Sequence, residues 1–544
     1  MNSGLKILLV VGYLCIFGIL LNYENAWMHN EVAVTTQKFF DGHPSFLERV
    51  SQCLNWQIFE GEYGGVPNSR ARIFSNIFQT FNILFRNWIF QFIPVHPSLS
   101  LTWIVVLVLC PYFLYKFIKN ITDDKAIALI TAFLYIISPG ALISVIMLFL
   151  PGKAITNFFC IFCLYLGSVI ARNIEKASCT SFRRDFLFLV LMIIASLFFD
   201  EYSLFIFVLV PIFFPGIFRQ RQQRVFTTIL YLLIPAVYYF SLTFFLPQLY
   251  AFAGYPGFNF FAFSDHMGIS QRLPNIDVWA MIVNFILLLH DNLLAGFNAY
   301  LKDPSVSVRV TQFYSTANEL IHGDNIQLGW DFIKDKHITF FQILHGIFSF
   351  AILAVGAWAL AGKWRDNQNK KLRTYFLKSL MALVGFVIFF SLLHMTSNIL
   401  AGCGYYGSCF SVFFAITVGL GLKFMMDKTP WKNVLICIFL ASLMVNSFYN
   451  IRMLNYSWIA LHYRQRYWEL SMWLNQYPLR EIYEKHFVKA NSSNLEYPYN
   501  LKNNFKITYE AWRNRKDPGI CKMIISAAPP ELRGFLLAEL PYIK

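Results

Sequence analysis

Residues 99–118 read LSLTWIVVLVLCPYFLYKFI, a run of twenty residues with one charge, at Lys116. About twenty apolar residues in an α-helix are long enough to cross the hydrocarbon core of a bilayer. Basic residues follow at once, because Lys119 and Lys125 flank the next turn. An apolar run that ends in a basic turn predicts a membrane-spanning helix whose end lies at the membrane surface.

The composition of the whole chain agrees with this interpretation. Of the 544 residues, 57% are hydrophobic and 14% are charged, whereas soluble domains carry about 25% charged residues. We therefore predict an all-α, polytopic membrane protein with about eleven transmembrane helices. The predicted spans lie near residues 6–22, 99–118, 126–149, 154–171, 186–199, 203–218, 225–246, 338–361, 379–394, 408–425 and 433–449.

Basic clusters on every second turn predict the orientation of these spans. Short loops that are rich in Lys and Arg stay on the cytoplasmic side of a membrane. We therefore expect a multi-pass protein of the cell (inner) membrane, with the N-terminus in the cytoplasm and the C-terminus outside or periplasmic. The net charge of +15 belongs to these turns, so no nucleic-acid partner is expected. The clusters are Lys116/Lys119/Lys125, Arg172/Lys176/Arg183/Arg184, Arg219/Arg221/Arg224, Lys363/Arg365/Lys370/Lys371/Arg373/Lys378 and Lys423/Lys428/Lys432.

This orientation divides the chain into a transmembrane module, residues 1–449, and a small outer region, residues 450–544. The module has two long outer loops, 23–98 and 247–337. Part of the second loop, near 279–301, is predicted to recline over the module, and an additional membrane crossing is the alternative. The longest inner loop, 362–378, is too short for a nucleotide-binding domain, so direct use of a cytosolic nucleotide is not expected.

The first outer loop contains a two-faced pattern over residues 70–92. One face of the predicted helix is apolar and aromatic, and the other carries amides, a hydroxyl and an arginine. We expect this helix to lie in the membrane interface, apolar side down, and to pack on the bundle. The apolar face is Phe74, Ile77, Phe78, Phe81, Leu84, Phe85 and Trp88, and the polar face is Ser75, Asn76, Gln79, Asn82 and Arg86.

An acidic residue follows the first predicted span. His29-Asn30-Glu31 opens a short pattern that Asp41-Gly42 ends. A carboxylate that is held near the membrane surface can have a raised pKa and act as a base. The alternative is that Glu31 only caps or solvates a loop.

Together these features resemble the GT-C glycosyltransferases, the superfamily of protein O-mannosyltransferases, lipid A aminoarabinose transferases and oligosaccharyltransferase catalytic subunits. In that family a first helix leads to an outer loop whose acidic motif opens a short helix that ends at a glycine. Asn30-Glu31 through Asp41-Gly42 matches this register, with Asn30 where an Asp is usual. The family's juxtamembrane helix is similar to residues 70–92.

Three further turns extend the resemblance over roughly residues 1–250. Ser138-Pro139-Gly140 ends the third span and Leu150-Pro151-Gly152-Lys153 opens the fourth, and both are similar to GT-C turns. Phe199-Asp200-Glu201-Tyr202 is similar to the family's charged turn that faces the donor.

The resemblance implies an inverting transfer of sugar from a polyprenyl-phosphate-linked donor to a glycan, lipid or protein acceptor at the outer face, among membrane lipids. Glu31 would be the catalytic base. Arg70, Arg72 and Lys153 would bind the donor phosphate, and Asn30, Asp200, Glu201 and His394 would support the site. No metal ligands are assigned, because only one acid of the motif is present, although a divalent metal stays open as a cofactor. As alternatives, Arg70 and Arg72 anchor the helix at the interface, Asp200 and Glu201 cap a water-exposed turn, and His394 is structural.

Other functions remain as rival hypotheses. A polysaccharide polymerase shares the compartment and the substrate type. A membrane O-acyltransferase would need a buried histidine, for which His290, His345 and His394 are the candidates. A lipid-sugar flippase or transporter would be expected to show two similar halves with broken spans, and the sequence shows no such repeat. Cys403 and Cys409 could also close a small outer disulfide loop.

Overall fold

The computed structural model describes residues 46–55, 73–92, 101–138, 151–175, 182–220, 223–254, 278–293, 336–361, 367–394 and 408–426, with a few single residues elsewhere. The elements in these ranges are helices, and the ranges contain no strand. We number the helices in chain order as α1 Phe46–Asn55, α2 Ile73–Phe92, α3 Leu101–Thr122, α4 Lys125–Ile136, α5 Pro151–Glu175, α6 Phe182–Leu197, α7 Leu204–Phe213, α8 Pro215–Arg219, α9 Arg224–Phe252, α10 Val278–Leu293, α11 Lys336–Ala361, α12 Asn367–His394 and α13 Ser408–Met426.

Helices α3, α5, α9, α12 and α13 are each long and apolar enough to cross a membrane. Helices α4 and α7, and residues Gly346–Trp358 of α11, are shorter apolar segments. The predicted all-α architecture is therefore confirmed for the described part of the chain, and its five long apolar helices agree with a multi-pass membrane protein. The predicted spans at 6–22 and 433–449 lie almost entirely outside the described residues, so the total of about eleven stays a prediction.

Helix α13 forms the centre of the bundle. Every residue from Ser408 to Leu422 is buried, and the helix packs against α4, α5, α11 and α12. The approach to α4 is close, because a Cβ atom added at Gly419 would collide with the side chain of Thr131. Small residues permit such close backbone packing, which gains dispersion contacts where lipid supplies no hydrophobic driving force between helices.

Ion pairs connect the basic turns at one end of the bundle. Arg172 at the end of α5 binds Asp123 in the α3–α4 turn at 2.9 Å. Lys423 at the end of α13 binds Asp124 in the same turn at 3.0 Å. Lys371 at the start of α12 binds Glu175 at the end of α5, also at 3.0 Å. These turns thus share one end, as the charge pattern predicts, and the side of the membrane on which that end lies stays a prediction.

The opposite end contains the start of α5, the turn that follows α6, and α2. The backbone N–H of Phe74 in α2 donates to the carbonyl of Phe198 at 3.0 Å. The Phe74 ring also contacts the rings of Phe198 and Phe199, with centroids 5.6 and 5.7 Å away. Helix α2 is therefore fixed on the bundle by its first turn, as predicted for the helix of the first outer loop.

Helix α2 contacts the bundle through part of its polar face. Its polar residues Ser75, Gln79 and Asn82 are buried, whereas Phe74 and Phe81 are 39% and 45% exposed. The bundle offers polar partners on this side, because the Asn82 side-chain oxygen accepts from the Thr102 N–H at 3.3 Å. The Asn82 oxygen is satisfied in this way, and aromatic residues on the outer face are compatible with a lipid surface.

Helix α4 ends at Ile136, and a turn at Ile137 and Ser138 follows it. The Ser138 hydroxyl donates to the Tyr135 carbonyl and accepts from the Ala141 N–H. The helix predicted for residues 126–149 is therefore interrupted by a turn at Ile137 and Ser138, whereas Pro139 lies outside the described residues. The disulfide considered for Cys403 and Cys409 is not formed, since Cys409 is a buried free thiol.

Candidate functional site

The structure brings two of the predicted site residues together and leaves the others undescribed. Asn30, Glu31, Arg70 and Arg72 lie outside the described residues. Glu201 begins a short 3₁₀ turn and His394 is the last residue of α12, but the side chains of both, and those of His290 and His345, are likewise outside the described part. The two that the structure brings together are Lys153 and Asp200.

Lys153 and Asp200 form an ion pair inside the bundle. The Lys153 Nζ lies 2.8 Å from the Asp200 Oδ1, and the two side chains are 4% and 1% exposed. Removing such charges from water costs several kcal/mol for each ion, which their mutual attraction offsets only when the geometry is good. A buried charged pair in a membrane protein is therefore a functional candidate.

Tyr202 contacts both members of this pair. Its backbone N–H donates to the Asp200 Oδ1 at 3.1 Å, while the centroid of its ring lies 3.0 Å from the Lys153 Nζ. The negative face of an aromatic ring attracts an ammonium, more strongly where water is excluded. Lys153 is thus held between a carboxylate and a ring face that come from one short turn.

The local sequence explains why Lys153 is buried. Pro151 begins α5, a position where the fixed φ of proline suits a helix start. Gly152 follows, and a Cβ atom there would lie 3.1 Å from the Asp200 Oδ2, from the Phe199 carbonyl and from the Ser75 Oγ. Glycine therefore allows the start of α5 to approach both the charged turn and α2, which places the next residue, Lys153, against Asp200.

Asp200 also has a structural role, because its side chain stabilises the turn that it begins. Its side chain accepts from the N–H two residues on, which is the pattern of an Asx turn. Asp200 therefore caps its turn from inside the bundle, and the alternative of a water-exposed cap does not describe it, because its side chain is 1% exposed. The same carboxylate oxygen also binds Lys153, so turn formation and charge pairing are both provided by one group.

A stripe of polar side chains continues along α5 from the ion pair. Lys153, Thr156 and Asn157 share one helix face at spacings of three and four residues, and all three are buried. The Thr156 and Ser203 hydroxyls lie 3.5 Å apart. The Ser408 hydroxyl donates to the Asn157 side-chain oxygen at 3.4 Å. Polar groups thus extend from Lys153 toward the centre of the bundle.

Sequence reasoning did not identify Tyr202, Ser75 or Gly152 as members of this site, nor the pairing itself. A signal was present for Tyr202, which lies two residues from Asp200 in the same turn. The spacing of Asn157 four residues after Lys153 was a second signal. Ser75 could not be found in this way, because its proximity depends on how α2 packs on α5.

The arrangement is suited to binding an anion. The Lys153 ammonium lies against the buried Asp200 carboxylate, and a phosphate oxygen has the charge and hydrogen-bonding capacity to take the place of that carboxylate. Among the residues that the structure describes, no group of three or more His, Cys, Asp or Glu side chains is placed to hold a metal ion.

Comparison with protein-family models finds no match, and none is found among curated proteins.

Proposed function

We propose that this protein is an integral membrane glycosyltransferase that moves a sugar from a polyprenyl-phosphate-linked donor to a glycan, lipid or protein acceptor at the outer membrane face. The observation that carries this proposal is the buried pair of Lys153 and Asp200. It lies at the end of the bundle opposite the basic turns, where the donor phosphate is expected.

The chemistry of the donor supports a role for a buried ammonium. In a polyprenyl-phosphate sugar the phosphate joins lipid to sugar and carries one negative charge. When the bond between the anomeric carbon and the phosphate oxygen breaks, the departing phosphate gains a second negative charge. A cation that is already positioned and desolvated stabilises this developing charge more than the ground state, which is the requirement for catalysis.

Asp200 has a complementary part in this mechanism. Before the donor binds, its carboxylate keeps Lys153 charged and oriented at a depth where an isolated ammonium would be costly. When the donor phosphate binds Lys153, Asp200 keeps its hydrogen bond from the Tyr202 N–H. The turn therefore stays formed while the lysine changes its partner.

Glu31 is the proposed base. It takes the proton of the acceptor hydroxyl as the acceptor oxygen attacks the anomeric carbon, and the phosphate leaves with the bonding electron pair. One bond forms and one breaks at that carbon, so its configuration inverts. The sequence supports this assignment through the position of Glu31 just beyond the first predicted span.

The test is transfer of radiolabelled sugar by the purified protein in lipid vesicles, with a panel of polyprenyl-phosphate sugars and with glycan, lipid and protein acceptors. We expect transfer by the wild type and a loss of about 10²- to 10⁴-fold in Glu31→Gln, the usual contribution of a general base. Glu48→Gln is the matched control, because Glu48 is an exposed acid of the same outer loop and its loss should leave transfer unchanged.

The outcomes distinguish the proposed glycosyltransferase activity from the proposed role of Glu31. A folded wild type that transfers no sugar from any donor would overturn the proposed function. Transfer that persists in Glu31→Gln would retain the glycosyltransferase and remove Glu31 as its base.

A further inference from the structure

Five buried polar side chains meet deeper in the bundle, where the polar stripe of α5 reaches α4, α10 and α13. We call them the inner polar cluster: Tyr135, Asn157, Asn292, Ser408 and Ser411. Each is at most 3% exposed. Within the cluster, the Ser411 hydroxyl donates to the Asn292 side-chain oxygen at 2.8 Å and accepts from the Gly140 N–H at 3.1 Å.

Two atoms of this cluster are not satisfied by the protein. The Asn157 Nδ2 and the Tyr135 Oη have no hydrogen-bond partner among the described residues, although the Tyr135 hydroxyl faces both the Asn157 side chain and the Cys110 thiol. Native proteins rarely keep buried polar atoms unpaired unless water or a ligand binds them. The amide donor and the hydroxyl therefore adjoin each other and are both available to a bound ligand.

The backbone around the cluster is irregular in two places. Helix α4 ends at Ile136, one residue after Tyr135, and Ser138 forms the following turn. Helix α3 contains a π turn over Val105–Leu109 that ends next to Cys110. Interrupted helices in the membrane interior commonly form binding sites, and π turns occur often at functional positions.

The cluster is placed to meet the same ligand as Lys153. Asn157 follows Lys153 by four residues on one face of α5, which separates their Cα atoms by about 6 Å along the helix axis. That spacing is comparable to the breadth of a pyranose ring. A phosphate at Lys153 would thus place the attached sugar toward Asn157 and Tyr135.

The chemistry of the cluster indicates which sugars fit. Its members are amides and hydroxyls, and none of the five carries a charge. Neutral donors and acceptors match the hydroxyl groups of an uncharged sugar, whereas the carboxylate of a uronic acid would be buried there without a cation.

We infer that the inner polar cluster is the subsite for the sugar of the lipid-linked donor, and that it selects uncharged sugars through hydrogen bonds from Asn157 and Tyr135. This inference rests on the proposed function. It assigns the sugar and the phosphate of one donor to different residues, so the two parts can be tested separately.

The experiment measures binding of two lipids to the full-length protein in nanodiscs: bare polyprenyl phosphate and a neutral polyprenyl-phosphate hexose. The variants are Tyr135→Phe, which removes one hydroxyl without changing the ring, and Asn157→Ala. Each should weaken binding of the glycosylated lipid about 2- to 10-fold, as expected for one lost hydrogen bond, and leave binding of the bare lipid unchanged. A uronic-acid donor should bind the wild type more weakly than the hexose donor.

Tyr231→Phe is the matched control. Tyr231 is a buried tyrosine whose hydroxyl donates to the Phe207 carbonyl at 2.6 Å, away from the cluster. Its loss should not change the ratio of the two affinities, even if it lowers thermal stability.

Three results would overturn the inference. If Tyr135→Phe and Asn157→Ala bind both lipids as the wild type does, the cluster holds only water, and the proposed function is untouched. If the variants bind both lipids more weakly by the same factor, the residues act on the phosphate site and do not recognise the sugar. If the wild type binds neither lipid, the proposed function fails and the subsite fails with it.

Discussion

Lys153 carries a positive charge where an unpaired ammonium would be strongly disfavoured. Asp200 supplies the opposite charge at 2.8 Å, and the Tyr202 ring covers the ammonium. Because each charge stabilises the other, removal of one partner should harm the protein more than removal of both. The contribution of the pair to protein stability can therefore be measured separately from its proposed role in donor binding.

Asp200→Asn should therefore destabilise the protein by about 3–5 kcal/mol, since it removes the carboxylate that lies 2.8 Å from the buried Lys153 ammonium. The double variant Lys153→Met/Asp200→Asn should recover most of that loss. Thermal unfolding in detergent measures both. Asp123→Asn is the control, because it breaks the exposed pair with Arg172 and should cost no more than about 1 kcal/mol. An equal loss of stability in Asp200→Asn and in the double variant would contradict the account of the buried pair.

Asp124 predicts a dependence of stability on pH. Partial burial alone would raise the pKa of this carboxyl, but its hydrogen bond and charge interaction with Lys423, together with the Ile127 and Ala126 N–H groups, lower it below its ordinary value. A lowered folded-state pKa means that the contribution to stability is complete above the ordinary aspartate pKa of about 3.9 and is lost as pH falls through the folded-state pKa.

Asp124→Asn keeps an N-cap side chain and removes the charge. Its melting temperature should be lower than that of the wild type at pH 7, and the difference should shrink as the pH falls below about 4. Melting curves of both proteins from pH 7 to pH 3 measure this. A difference that stays constant over the range would show that the charge of Asp124 does not contribute.

The sequence identified Lys153 and Asp200 separately but did not identify them as partners. Lys153 was noticeable as a lysine on a turn without other basic residues, and Asp200 as an acid between two apolar runs. Their contact depends on how α5 packs beside the turn after α6, over a separation of 47 residues. Local spacing contains no information about such a contact.

At the scale of one element, α2 shows what an amphipathic pattern can and cannot predict. The pattern over 70–92 predicts a helix, and the structure has one at Ile73–Phe92. The burial of Ser75 and Gln79 was not predicted, because the pattern separates two faces without showing which contacts the protein. In the structure the polar face lies against the bundle, where the Asn82 side-chain oxygen accepts from the Thr102 N–H.

The packing of α13 against α4 depends on Gly419. An added Cβ would collide with the Thr131 side chain, so Gly419→Ala should destabilise the protein by about 1–3 kcal/mol through overpacking. Gly216→Ala is the matched control, since nothing lies within 4 Å of its added Cβ and alanine favours a helix. Thermal unfolding compares them. A Gly419→Ala protein as stable as Gly216→Ala would contradict the close packing.

At the scale of the whole molecule, charge separates the two ends of the bundle. One end holds the basic turns and the ion pairs among them, and the other holds the buried pair of Lys153 and Asp200. The alternation of basic turns in the sequence predicts this separation, because it depends only on chain order. The partners within each end are set by packing and were not predictable in the same way.

The positive-inside interpretation predicts which end faces the cytoplasm. In sealed right-side-out vesicles of a variant without reactive native cysteines, Arg184→Cys at the basic end should react with an impermeant maleimide only after permeabilisation. Phe252→Cys, at the far end of α9 and 94% exposed in the structure, should react from outside. Labelling of Arg184→Cys from outside would place Lys153 on the cytoplasmic side and contradict an outer donor site.

The most direct test of the central claim is sugar transfer by Lys153→Met/Asp200→Asn, the variant that removes both charges of the pair and is expected to fold. If Lys153 binds the donor phosphate, this protein should melt close to the wild type and transfer sugar at least about 100-fold more slowly, as expected for the loss of a preorganised charge in the transition state. Transfer at the wild-type rate by the folded double variant would show that the pair only stabilises the bundle, and would contradict the account.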